Sequence, residues 1–188
     1  LYIKMFKNND DVVIERKAYV VYDVEFSLTN DNNVNIRNII NIDFMKIVYQ
    51  LNKDLINDIK INKKDECGGE LYLKFRHLFE DLGFPQFYST MKLKIDRKEN
   101  EVYFSANSDE VEIEFERDDE IIKGPKFNME CTITCPNETK LELKMRIILD
   151  WDNIPLTDFL EKICIKITKK IVNRVRGFVS NLIIEMNI

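Results

Sequence analysis

Lys140-Leu-Glu-Leu-Lys-Met-Arg-Ile-Ile-Leu149 puts Leu141, Leu143, Met145, Ile147 and Leu149 on one side of an extended chain. Lys140, Glu142, Lys144 and Arg146 fall on the other. Successive side chains of a strand point to opposite faces, so a period of two predicts a strand with one buried and one wet face. The pattern recurs upstream. Met91, Leu93 and Ile95 oppose Lys92, Lys94 and Asp96, and Val102, Phe104 and Ala106 alternate next. Val111, Ile113 and Phe115 oppose Glu110, Glu112, Glu114 and Glu116, and Phe127, Met129, Cys131, Ile133 and Cys135 follow. Polar turns at 96–100 and 107–109, the Gly124-Pro125 pair, and Pro136-Asn-Glu-Thr139 separate these runs. Five short strands, each apolar on one side, predict an antiparallel meander.

Towards the amino end, residues 18–29 alternate as a long strand with Val20, Tyr22, Val24, Phe26 and Leu28 inward. An Asn-rich turn at 30–35 precedes Ile36, Ile40, Phe44, Ile47, Val48, Leu51, Leu55 and Ile59, whose three- and four-residue spacing predicts a helix of about 25 residues. Within it, Ile36, Ile40 and Ile42 also fit a strand. After a loop at 62–69, Leu71, Leu73 and Phe75 favour a strand ending near His77, with a turn through Gly83 and Pro85, while Leu71, Phe75, Leu78, Phe79 and Leu82 also mark a helical face with Gly83 just past its end. The apolar sheet face needs a cover, which the carboxyl end supplies. Asp152 or Asn153 is the expected cap, Pro155 lies in the first turn, and Leu156, Leu160, Ile163, Cys164, Ile167, Ile171, Val175, Phe178, Val179 and Leu182 form a stripe. A short strand from Leu182 to Ile188 closes the pattern. The expected class is α+β: a curved antiparallel meander wrapped around or packed on a long C-terminal helix, with a second long N-terminal helix. It forms one domain over 1–188, with 1–17 an irregular or edge-strand segment.

The 188 residues are 45% hydrophobic and 32% charged, with five Gly, four Pro and one His, which excludes a low-complexity or collagen-like polymer. A formal net charge of −5 weighs against nucleic acid as a partner. That balance hides a segregation. Residues 109–120 hold eight acids and Arg117, a net of −7, whereas 154–188 carry a net of +3. Lys162, Lys166 and Lys170 share a helical face, ready for solvent or for an anionic membrane. Either charged segment suits a homo- or hetero-oligomeric contact.

Catalytic signatures are missing. No P-loop, dinucleotide fingerprint or nucleophile elbow occurs, no cofactor motif is present, and a triad or zinc site would have to use His77. Asp150 and Asp152 flank Trp151 at a strand end, where capping the next helix is their expected use. Cys131 and Cys135 lie roughly 13 Å apart along a strand, beyond the reach of about 7 Å for a disulfide. With Cys67 and Cys164 they read as small buried hydrophobes of a reducing, cytoplasmic compartment. Asn137-Glu138-Thr139 fits the glycosylation sequon, as chance allows in an Asn-rich chain. The start at Leu1 reads as a fragment or processed product, which leaves any membrane anchor to a segment before it.

The segment Phe79-Glu-Asp-Leu-Gly-Phe-Pro85, entering a strand at Phe87 to Ile95, resembles the Leu-Gly turn and proline of SMP domains in the TULIP superfamily. The close from Ile154-Pro-Leu-Thr-Asp-Phe-Leu to Leu182-Ile-Ile-Glu-Met-Asn-Ile188 is similar to the helix-then-strand ending of those domains. A strand ahead of the first helix instead resembles the START-like helix-grip fold, or TULIP barrels of the bactericidal/permeability type. Either resemblance implies a lipid or hydrophobic small molecule held without covalent chemistry between sheet and helix. Met91, Leu93, Val102, Phe104, Ile113, Phe115, Met129, Ile133, Met145 and Ile147 would line the sheet side, and Ile163, Ile167 and Ile171 the helix side. An interior of several hundred Å³ would favour such a ligand, and a filled core an assembly subunit.

Overall fold

The computed structural model describes residues 5–6, 12–78, 80–108, 111, 121–150 and 157–183. Its strands are β1 (Met5–Phe6), β2 (Val13–Ala18), β3 (Val21–Thr29), β4 (Ile56–Lys63), β5 (Gly68–Phe75), β6 (Gln86–Arg97), β7 (Glu101–Asn107), β8 (Ile121–Lys123), β9 (Lys126–Asn137) and β10 (Lys140–Asp150). The helices are α1 (Phe44–Leu51) and α2 (Asp158–Ser180). One sheet joins the strands in the order β1-β2-β3-β10-β9-β7-β6-β5-β4, every neighbour antiparallel, while β8 pairs parallel with β6. The α+β class with a curved antiparallel sheet, a long C-terminal helix and a second helix is therefore the one the sequence predicts.

Register explains why one face is apolar throughout. Leu141, Met145 and Ile147 of β10 stand opposite Leu28, Val24 and Tyr22 of β3. Across the other edge, Leu143, Met145 and Ile147 face Ile133, Cys131 and Met129 of β9. Val102 and Phe104 of β7 meet Ile133 and Cys131, and β6 adds Leu93 opposite Ala106. These side chains form one continuous core with Val12, Ile14, Leu71 and Leu73. α2 lies over it through Ile165, Val172 and Val179, seven residues apart and each buried.

Four expectations need correction. The helix foreseen over 36–59 is a short 3-10 turn at Ile36–Ile39, the eight-residue α1, and then strand β4. A register shift between Ile56 and Asp58 puts Ile56 and Ile59 on the same side, opposite Phe75 and Leu73. Such a bulge gives a strand the three-residue spacing of a helix. Asn52 ends α1: its side chain donates to the Val48 carbonyl at 2.8 Å, and it is wholly buried.

The strand foreseen from residue 18 is two strands. Tyr19 and Val20 turn the chain between β2 and β3, with Val20 at φ 57°, so Val20 is not an inward strand residue. The cap of α2 is Thr157, whose side chain accepts from the Leu160 amide at 3.3 Å, with Asp158 and Glu161 at the positive end of the helix. Finally, β7 pairs directly with β9, so the sheet neighbours there are not the successive strands of the expected meander, and the strand expected over 111–116 falls almost wholly outside the described residues. Ile113, Phe115, Phe79, Trp151, Asp152, Asn153, Pro155, Leu156, the acidic run apart from Val111, and the closing strand past Ile183 lie outside the described residues.

The turn through Gly83 is as expected. Glu80–Leu82 form a 3-10 turn, Gly83 takes φ 72°, and β6 starts at Gln86. Because that φ is unfavourable for side chains with a Cβ, Gly83→Ala should cost about 1 kcal/mol, read from its urea midpoint.

Candidate functional site

α2 is fastened to the sheet by polar contacts at three places along its length. Near its start, Glu161 points inward and is 2% exposed. The guanidinium of Arg16 donates to Glu161 Oε2 at 3.1 Å, and the Tyr22 hydroxyl donates to Oε1 at 3.2 Å. Burial, and then the Glu161 charge, push the Tyr22 phenol above its ordinary range, so it stays a donor at neutral pH. A buried carboxylate is tolerable here because both oxygens have partners.

Farther along, Arg174 makes a two-pronged contact with Asp54, Nη2 lying 3.0 Å from Oδ2, while Nη1 also donates to Asn52 Oδ1 at 3.1 Å. The Lys170 ammonium reaches Asp54 Oδ2 at 2.6 Å. At the far end, buried Asn30 donates from Nδ2 to the carbonyls of Val179 and Leu182, at 2.7 and 3.0 Å, and takes up terminal acceptors of the helix.

The Arg174 guanidinium, then the Lys170 ammonium, hold the Asp54 carboxyl well below the usual carboxylate range. A folded-state pKa below the unfolded one gives stability that is present above about pH 4 and lost as pH falls. Asp54→Asn should therefore be less stable than the parent chain at neutral pH, and the gap should be narrower at pH 3. Because Asp54 is half exposed, the change stays below about 1 kcal/mol. Chemical denaturation of both proteins at the two pH values checks it.

Between these fastenings the fit is close. Beneath the first half of α2, Ile14, Tyr22, Val24, Ile147, Leu149, Cys164, Ile165 and Thr168 surround about 10 Å³, the space of roughly one water. A shallow cleft of about 580 Å³, largely open to solvent and therefore not an enclosed interior, lies at the other end of α2, against the end of α1. Leu51, Arg174, Gly177, Phe178, Asn181, Leu182 and Ile183 line it.

The residues expected to line a site divide accordingly. Met91, Leu93, Val102, Ile133 and Ile147 are buried, and Phe104, Met129 and Met145 pack at the edge of the same core. Ile167 and Ile171 flank the buried helix face, and Ile163 is half-buried. Ile147 alone among them borders the small pocket, and none borders the larger cleft. Lys162, Lys166 and Lys170 are exposed, Lys170 in its contact with Asp54.

Sequence reading did not single out Arg16, Glu161, Ile165, Val172 or Leu51 as site residues. The helix stripe was centred one position away, since Glu161 occupies an inward position that a hydrophobicity pattern assigns to solvent. Its signal was the four-residue step from Glu161 to Ile165.

Three of the four thiols offer little nucleophilic chemistry. Burial pushes Cys131 up to about 12 and Cys164 up to about 11, and it also raises Cys135. Cys67 is exposed, contrary to the buried role expected of it, and all four are unpaired. Among the described residues no cluster of metal-ligating side chains occurs, and no helix is long and apolar enough to cross a membrane. His77, whose Nε2 lies 2.6 Å from the Phe84 carbonyl, helps close the β5–β6 connection.

Compared by sequence, the chain matches no family model and no curated protein. Its fold is nevertheless shared with solved START-related structures. The lipid transfer and protein localization domain of human StarD13 superposes with a TM-score of 0.67 at 10% identity, covering 96% of this chain and 90% of that one. Human StAR-related lipid transfer protein 5 gives 0.68 at 9% identity, covering 94% and 86%. A STAR-related lipid transfer protein from Xanthomonas axonopodis gives 0.67 at 9%, covering 94% and 98%. The helix-grip alternative is thus the architecture observed. The leading β2–β3 hairpin, which fits that alternative, pairs directly with the last strand.

Proposed function

We propose that this protein binds a lipid or other hydrophobic small molecule between α2 and the rest of the fold, without covalent chemistry, beside a cytoplasmic membrane. The observation that carries the reading is the 580 Å³ cleft, apolar at Leu51, Phe178, Leu182 and Ile183, at the end of the helix that grips the sheet. START-related lipid transfer proteins with the same fold support it. A ligand larger than that cleft would extend towards Ile171 and Ile167 as α2 lifts. The Asp54 contact with Lys170 and Arg174 near that cleft suits such movement, because exposed ion pairs break more cheaply than an apolar seam.

Native mass spectrometry of the purified protein, with uptake of a labelled phospholipid, tests the proposal. A ligand-bound mass or saturable uptake is expected, and Phe178→Glu, which puts a charge in the cleft, should reduce uptake about tenfold or more. Recovery of the ligand-free mass alone, with no uptake, would overturn it.

The 10 Å³ pocket favours a second reading, a non-catalytic assembly subunit whose seam is filled core. It predicts no uptake, together with a partner that survives purification.

A further inference from the structure

We propose that the β2–β3 turn and the first turns of α2 form one docking end for an anionic lipid bilayer. Two aromatic rings are offered to solvent there: Tyr19 is 61% exposed at the tip of the hairpin, and Phe159 is 56% exposed at the start of α2. Arg16 shows that the two belong to one end of the molecule. Its guanidinium carbon lies 5.9 Å from the Tyr19 ring centroid, and its Nη1 pairs with Glu161, two residues beyond Phe159.

Phe159, Lys162 and Lys166 follow at steps of three and four, so they share one outward stripe of the helix. Both lysines are exposed, with no carboxylate within ion-pair distance among the described residues. Lys170 continues the stripe but is held by Asp54, which concentrates the unpaired charge next to Phe159. Lys17, at the hairpin, pairs with Glu15 and adds little.

Aromatic rings settle at the headgroup level of a bilayer, and lysines on a long stem reach the phosphates above them. Each such lysine adds attraction to an anionic surface that fades with salt. The tip has isolated rings on separate elements. A protein partner would need a continuous, complementary surface, whereas a fluid bilayer deforms around them.

The proposal stands apart from the ligand reading, and one preparation separates their failures. The protein is floated with vesicles of phosphatidylcholine alone and of phosphatidylcholine mixed with phosphatidylserine, while uptake of a fluorescent fatty acid is measured from cyclodextrin without vesicles. Flotation with the mixed vesicles is expected, weakening with salt. Tyr19→Ser/Phe159→Ser should lower the bound fraction about tenfold. Lys162→Glu/Lys166→Glu should abolish the preference for phosphatidylserine, and both variants should keep the parent's melting temperature and fatty-acid uptake. Failure of the parent chain to float, or flotation unaltered in both variants, overturns the docking end. Flotation without uptake leaves it standing and removes the ligand reading instead.

Discussion

Arg16→Ala should lower stability by about 3 kcal/mol, visible as a drop in the urea midpoint at unchanged slope. The reason is what remains behind. Glu161 is almost fully enclosed, so without the guanidinium it keeps one neutral partner, the Tyr22 hydroxyl. A buried charge stripped of its counter-ion typically costs about 3–5 kcal/mol, and the partial exposure of this site near Arg16 places the loss at the lower end. Arg16→Ala/Glu161→Leu should recover most of it, because leucine fills a similar volume without a charge. About 1 kcal/mol should stay lost to the stranded Tyr22 hydroxyl. A single variant within about 0.5 kcal/mol of the parent would show Glu161 to be solvated, and the fastening at this end of α2 would be discarded.

The second large effect is expected at Ile165. It is 7% exposed and sits over Ile14, Val24, Ile147 and Leu149, with little free space around it. Ile165→Ala removes methyl and methylene groups that neighbours held at both ends by polar contacts cannot replace, so a loss of about 2–4 kcal/mol is expected. The space created is apolar and should stay dry, as such cavities do. Benzene at saturation should then raise the melting temperature of the variant and leave that of the parent unmoved. If the variant melts with the parent, α2 is not seated on the sheet as described.

The strands were legible because their period is enforced by physics that acts on each residue alone. Leu141, Leu143 and Met145 must leave water while Glu142 and Lys144 must keep it, so alternation is written residue by residue. The bulge in β4 was not legible in this way. It gives Ile56 and Ile59 a helical spacing, and the pairing partner that decides the matter, β5, lies elsewhere in the chain. Glu161 was hidden for a similar reason. An acid is assigned to water unless its partners are known, and Arg16 is 145 residues away. The site was therefore less readable than the fold: its walls are apolar positions like any others, while its distinctive polar groups acquire meaning through long-range contact.

The pairing of β3 with β10 has a consequence for how the chain is made. Leu28 and Leu141 stand opposite each other across more than a hundred residues of sequence. On a ribosome, the hairpin that carries Tyr22 and Phe26 emerges long before the strand that will cover its edge. Until then β3 presents a row of unpaired amides and carbonyls beside an apolar face, the arrangement most prone to pairing with a neighbouring chain. Folding governed by so distant a contact is slow as well. Expression yield should therefore respond to chaperone supply more than to any single surface substitution, and fragments ending ahead of Lys140 should be recovered as aggregates.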